Sequence, residues 1–169
     1  PLLDAAEAKS VVEIGSWKAE NTRKLLHRAR RTGGIVHAVD PFPDFQTGDA
    51  EREYGPHLAI HKKKSLDAIP SLCPCDAVLI DGDQTWYTVM NELRLLHKHS
   101  SLHGKMPLIL LHDVGWPYGR RDCYCVDEDI PVEYRHPHAI KGLVMGQSLV
   151  TDVPGALHNN CNNALYEGG

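Results

Sequence analysis

The feature that most constrains the fold is a set of short, β-branched apolar runs, each stopping at a glycine or a polar residue. Ser10-Val11-Val12-Glu13-Ile14 ends at Gly15-Ser16, and Ile35-Val36-His37-Ala38-Val39 ends at Asp40-Pro41. Ala77-Val78-Leu79-Ile80 ends at Asp81-Gly82-Asp83, and Leu108-Ile109-Leu110-Leu111 ends at His112-Asp113. Runs this apolar, with so little alternation, suit strands covered on both faces. A weaker strand is expected at Leu58-Ala59-Ile60-His61. Between the runs lie amphipathic stretches. Glu20 to Arg31 gathers its cations toward the end, where the helix dipole favours them, and stops at Gly33-Gly34. Thr85 to His99 places Val89, Leu93 and Leu96 on one face. The segment 42–55, rich in Pro, Gly and acids, reads as a loop or a short helix. Strands alternating with helices at this spacing predict an α/β fold: a doubly wound, mainly parallel sheet with helices on both faces.

A chain of 169 residues is expected to form one domain, residues 1–169. Within it, 114–169 is an irregular loop and tail punctuated by Pro117, Gly119, Pro131, Pro137, Pro154 and Gly155. The net charge of -4 argues against nucleic acid as a partner, since phosphate binding wants a basic surface. Lys62-Lys63-Lys64 reads as a solvated face. No apolar run approaches the ~20 residues that span a bilayer, so no membrane partner is expected. No signal peptide opens the chain, and the cytoplasm is the expected compartment. The chain begins at Pro1, which reads as processing, trimming or a fragment. Five cysteines, an odd number, disfavour a closed disulfide framework. Cys73-Pro74-Cys75 and Cys123-Tyr124-Cys125 are spaced more tightly than structural zinc pairs, so they read as reduced thiols.

In open α/β sheets, ligands bind outside the carboxyl ends of the strands, near the point where strand order reverses. Here those ends carry Gly15-Ser16, Asp40, Asp81 and His112-Asp113. Gly15 permits a tight turn and close approach of backbone to ligand. The helix that follows offers N–H groups suited to a carboxylate. Asp40 can accept hydrogen bonds from both hydroxyls of a ribose; the alternative is a turn or cap at Asp40-Pro41.

These residues resemble a known family. Val12-Glu13-Ile14-Gly15-Ser16 and Val39-Asp40-Pro41 are similar to the first two motifs of class I S-adenosylmethionine (SAM) methyltransferases. Leu79-Ile80-Asp81-Gly82-Asp83-Gln84-Thr85-Trp86 resembles the IDGDHTY signature of the macrocin O-methyltransferase and cephalosporin-hydroxylase-like branch, and Leu110 to Val114 resembles its strand-five ending. The resemblance spans Val11 to Val114 and implies a Rossmann-like fold that binds SAM. It assigns the cofactor to Glu13, Gly15, Ser16, Asp40, Ser65 and Asp81. Two positions depart from the pattern: Ala19 stands where another glycine is usual, and Gln84 replaces the signature histidine. The final β-hairpin of such folds is also not evident, being either disguised after Leu143 or missing.

By the same resemblance, Asp81, His112 and Asp113 fall where relatives hold Mg²⁺ or another divalent metal. With no metal, His112 and Asp113 are the catalytic pair and the imidazole is the base, since imidazoles titrate near neutrality. Both options stay open at this stage. The loop Gly115 to Asp122 supplies Trp116, Tyr118, Arg120 and Arg121 as candidate contacts to a hydroxylated small-molecule substrate. Homo-oligomerisation is left open. A degenerate core that binds SAM or a partner without turnover is the main alternative. A nicotinamide-dependent dehydrogenase is weaker, because no G-x-G-x-x-G follows the first strand.

Overall fold

The structure is a computed structural model that describes residues 1–114 and 130–135. After a short helix α1 (Leu2–Ala5), strands and helices alternate: β1 (Ser10–Ile14), α2 (Glu20–Thr32), β2 (Ile35–Val39) and α3 (Thr47–Tyr54). There follow β3 (Leu58–His61), α4 (Ser65–Leu72), β4 (Ala77–Ile80), α5 (Trp86–His103) and β5 (Leu108–Leu111). The strands form one sheet in the order β3-β2-β1-β4-β5. Every pairing is parallel, with Val12 opposite His37 on one side and Val78 on the other. Chain order therefore reverses between β1 and β4, which places the crevice for a ligand there.

Two apolar layers cover the sheet because side chains alternate across it. Val11, Val36, Ala38, Leu58 and Ala77 pack with Leu25, Leu26 and Ala29 of α2 and Tyr54 of α3. Val12, Ile14, Val39, Val78 and Ile80 pack with Ala68 and Ile69 of α4 and Leu96 of α5. The doubly wound, Rossmann-like architecture expected from the sequence is thus present. Leu26 and Ile69 are among the largest fully buried side chains, and truncating either to Ala should cost about 2–5 kcal/mol.

At the amino ends of the strands one carboxylate ties three of them. Asp76 Oδ2 accepts the N–H groups of Lys9 and Ser10, both at 2.8 Å, and Oδ1 meets the Lys105 ammonium. Burial pushes the Asp76 carboxyl up, but Lys105 and the two N–H groups outweigh it and hold it at about 2.

Thr85–Tyr87 group with residues 130–135 as a second compact unit. In it Ile130 is buried, Val132–Tyr134 forms a 3₁₀ turn, and the rings of Tyr87 and Tyr134 lie 5.2 Å apart. Among the described residues no helix is long and apolar enough to cross a membrane.

Candidate active site

The loops after β1 and β2 are stitched together at the carboxyl edge of the sheet. Asp40 Oδ2 accepts the Trp17 N–H at 2.7 Å and Oδ1 accepts the Phe42 N–H at 2.8 Å. Asp40 is therefore a turn residue, and it still presents lone pairs beyond those two bonds, since an ionised carboxylate has about four acceptor sites. Trp17 and Ala19 both carry positive φ, +37° and +61°. The usual glycine near position 19 thus has a physical reason: the chain enters α2 through a left-handed residue, and Ala19 adopts that conformation with a side chain. No side chain caps α2, so its first N–H groups are left for other acceptors.

Gly15 lies at φ +87°, and a Cβ there would stand 2.4 Å from the Asp81 carbonyl oxygen. The glycine is needed first for the approach of two strand ends, not for an approach of ligand to backbone. Gly15 N–H reaches Val39 O at 2.8 Å and Asp81 N–H reaches Ile14 O at 2.9 Å, extending both ladders into the site. Gly82 answers from the other side, where a Cβ would sit 3.0 Å from Ile14 Cγ2.

Ser16 is 5 % exposed, and its buried hydroxyl has no hydrogen-bond partner among the described residues. An orphaned hydroxyl beside a strand-order reversal fits a polar ligand that completes it. Glu13, 2 % exposed, points the other way, into the α2 layer, where it accepts the Thr22 hydroxyl at 2.6 Å. Burial pushes its carboxyl up to about 7 against that hydrogen bond, and the charges of Asp81 and Asp40 add to the rise. Ser65, the first residue of α4, is buried.

At the ends of β4 and β5 three expected residues converge. His112 Nδ1 lies 2.9 Å from Asp81 Oδ1 and 3.2 Å from Asp113 Oδ1. Gln84 Nε2 donates to Asp113 Oδ2 at 3.1 Å, so the residue replacing the signature histidine holds the far carboxylate. Burial pushes the Asp81 carboxyl up, opposed by His112. Carboxylates only accept, so an N–H at His112 Nδ1 suits these two contacts. Among the described residues no group of three His, Cys, Asp or Glu is disposed to hold a metal ion. The expected ligand set Asp81, His112 and Asp113 is brought together at close N···O distances, and the divalent metal finds no support in its geometry. Trp116, Tyr118, Arg120 and Arg121 lie outside the described residues.

One acid escaped sequence reasoning. Glu92 of α5 is 0 % exposed; burial pushes its carboxyl up to about 7, opposed by a hydrogen bond with Ser65 and helped by the Asp83 charge. Its spacing gave a signal: three residues after Val89 and four before Leu96, it shares their buried face.

No curated protein matches the chain. A family model described as a methyltransferase domain matches residues 12–114, more than half of the 169 and the same stretch that carries β1 to β5 and the site. With the strand order, the orphaned Ser16 hydroxyl and the acidic strand ends in agreement, the chain belongs to this methyltransferase-domain family, whose expected methyl donor is SAM.

Proposed function

We propose that the protein is an O-methyltransferase of a hydroxylated small molecule, with His112 as the base that removes the hydroxyl proton. The observation that carries this reading is the placement of His112 Nδ1 within 2.9 Å of Asp81 Oδ1 and 3.2 Å of Asp113 Oδ1. The contact favours the tautomer that carries its lone pair on Nε2, and the imidazole side chain is 59 % exposed. A proton taken at Nε2 makes an imidazolium that both carboxylates stabilise at once.

SAM, when bound, supplies an already activated sulfonium methyl, so the protein's work is alignment and proton removal. Ser16, Asp40, Asp81 and the uncapped start of α2 are the groups suited to hold it. We assign Trp116, Tyr118, Arg120 and Arg121 to the substrate on their chemistry: aromatic surface and two guanidinium forks suit a ring or sugar bearing an anionic group.

The test is methyl transfer from SAM to a panel of phenolic, sugar and aliphatic hydroxyl acceptors, with wild type and His112→Ala, with and without a chelator. Transfer that survives the chelator and fails in His112→Ala supports the reading. Transfer abolished by the chelator returns the cluster to metal chemistry. Cofactor binding without transfer to any acceptor favours a non-catalytic SAM-binding core.

A further inference from the structure

The Cys73-Pro74-Cys75 run lies outside the proposed active site. It lies just before β4, at the opposite end of that strand from Asp81. Both cysteines are free thiols, Cys73 half-buried and Cys75 buried. Their Sγ atoms are 3.9 Å apart, within sulfur hydrogen-bonding range, so the two side chains already face each other. A disulfide needs its sulfurs at ~2.05 Å, a gap that rotation of two short side chains can close.

We infer that Cys73 and Cys75 form a thiol–disulfide exchange site, in which Cys73 is the attacking thiol and Cys75 the resolving one. The asymmetry of the pair sets the roles. Cys73 is the sulfur that solvent reaches, whereas Cys75 is shielded and directed at Cys73. The hydrogen bond with Cys75 lowers the Cys73 thiol from its ordinary value. Cys75 is raised by the same bond and by burial, so it surrenders its proton only after the first exchange has removed the Cys73 thiolate.

The chemistry balances with a small-molecule disulfide, glutathione disulfide, as oxidant. The Cys73 thiolate attacks one sulfur, a Cys73–glutathione bond forms, and one glutathione thiolate leaves. Cys75 then loses its proton and attacks Cys73 Sγ, expelling the second glutathione. The protein dithiol is oxidised by two electrons, and one glutathione disulfide is reduced to two glutathiones. The closed ring encloses a single intervening residue, so it restrains little of the unfolded chain and gains little stability by closing. The bond should therefore open again in excess glutathione.

The experiment is equilibration of the folded full chain in buffers of graded glutathione to glutathione disulfide ratio, acid quenching, alkylation and peptide mass mapping. Expected is a Cys73–Cys75 peptide that loses two hydrogens as the ratio falls and regains them as it rises. In Cys75→Ser, a glutathionyl group should accumulate on residue 73; in Cys73→Ser, Cys75 should stay unmodified. Far-ultraviolet circular dichroism of each variant checks that it is folded, and the wild-type titration stands without the variants. The inference is overturned if the wild-type peptide stays a dithiol at every ratio. It is equally overturned if either cysteine pairs instead with Cys123, Cys125 or Cys161, or if Cys75 in folded Cys73→Ser is glutathionylated as readily as Cys73.

Discussion

The imidazole Nδ1 of His112 stands 2.9 Å from Asp81 Oδ1, joining the ends of β5 and β4. On the proposed reading the contact orients the ring as a base, so its removal should act on turnover rather than on cofactor affinity. His112→Ala is expected to lower the rate of methyl transfer by about 10²–10⁴-fold. S-adenosylhomocysteine affinity, measured by calorimetry in the same variant, should be unchanged within about threefold. A variant that loses both together would show the imidazole to be part of the cofactor pocket.

Gly15 is the position least able to change. Gly15→Ala adds a Cβ 2.4 Å from the Asp81 carbonyl oxygen at φ +87°, and the two strand ends must part to admit it. The expected cost is about 3 kcal/mol or more in denaturant unfolding, together with loss of cofactor binding. Unfolding at the wild-type midpoint would show that the ends of β1 and β4 do not pack this closely.

Ala19 is expected to respond in the opposite direction. It holds φ +61° with a side chain, so Ala19→Gly relieves left-handed strain while losing one small buried methyl. A net gain of about 0.5–1 kcal/mol in unfolding free energy is expected. An unchanged or lower stability would mean that burial of the Ala19 methyl outweighs the strain.

Those two residues show what was and was not legible in the sequence. The strands β1 to β5 were readable to their ends because short β-branched runs bounded by Gly, Asp or His leave few alternatives. Helix α4 was not, because Pro70 lies within it and its buried apolar residues Ala68 and Ile69 give no repeating face. Helix α5 runs on to His103 through residues of no clear periodicity. The convergence of Asp81, His112 and Asp113 was legible, since strand ends of a parallel sheet share one edge. What each carboxylate does there was not. Asp40 accepts from Trp17 and Phe42, and Glu13 turns toward Thr22, because of loop paths and strand facing that no local pattern encodes.

Glu92 sets a pH dependence. Its carboxyl is raised from an ordinary 4.5 to about 7 by burial. A raised folded value means that its favourable contribution is complete below about pH 4.5 and is lost as pH rises to about 7, where the folded chain must carry a buried charge. Glu92→Gln should remove that decline, leaving the variant more stable than wild type above pH 7 by on the order of 2 kcal/mol and little changed below pH 4.5. Urea unfolding across this window checks it; parallel curves for the two proteins would contradict a buried, protonated Glu92.

Whether the crevice between β1 and β4 binds SAM is tested most directly by calorimetric titration of the full chain with S-adenosylhomocysteine, wild type beside Asp40→Ala. Saturable one-to-one binding is expected in wild type, weakened about 10-fold or more in the variant, which loses both the ribose acceptor and the anchor of the Trp17 loop. Absence of any saturable heat in the folded wild-type protein, or equal affinity in Asp40→Ala, would contradict the cofactor site described above.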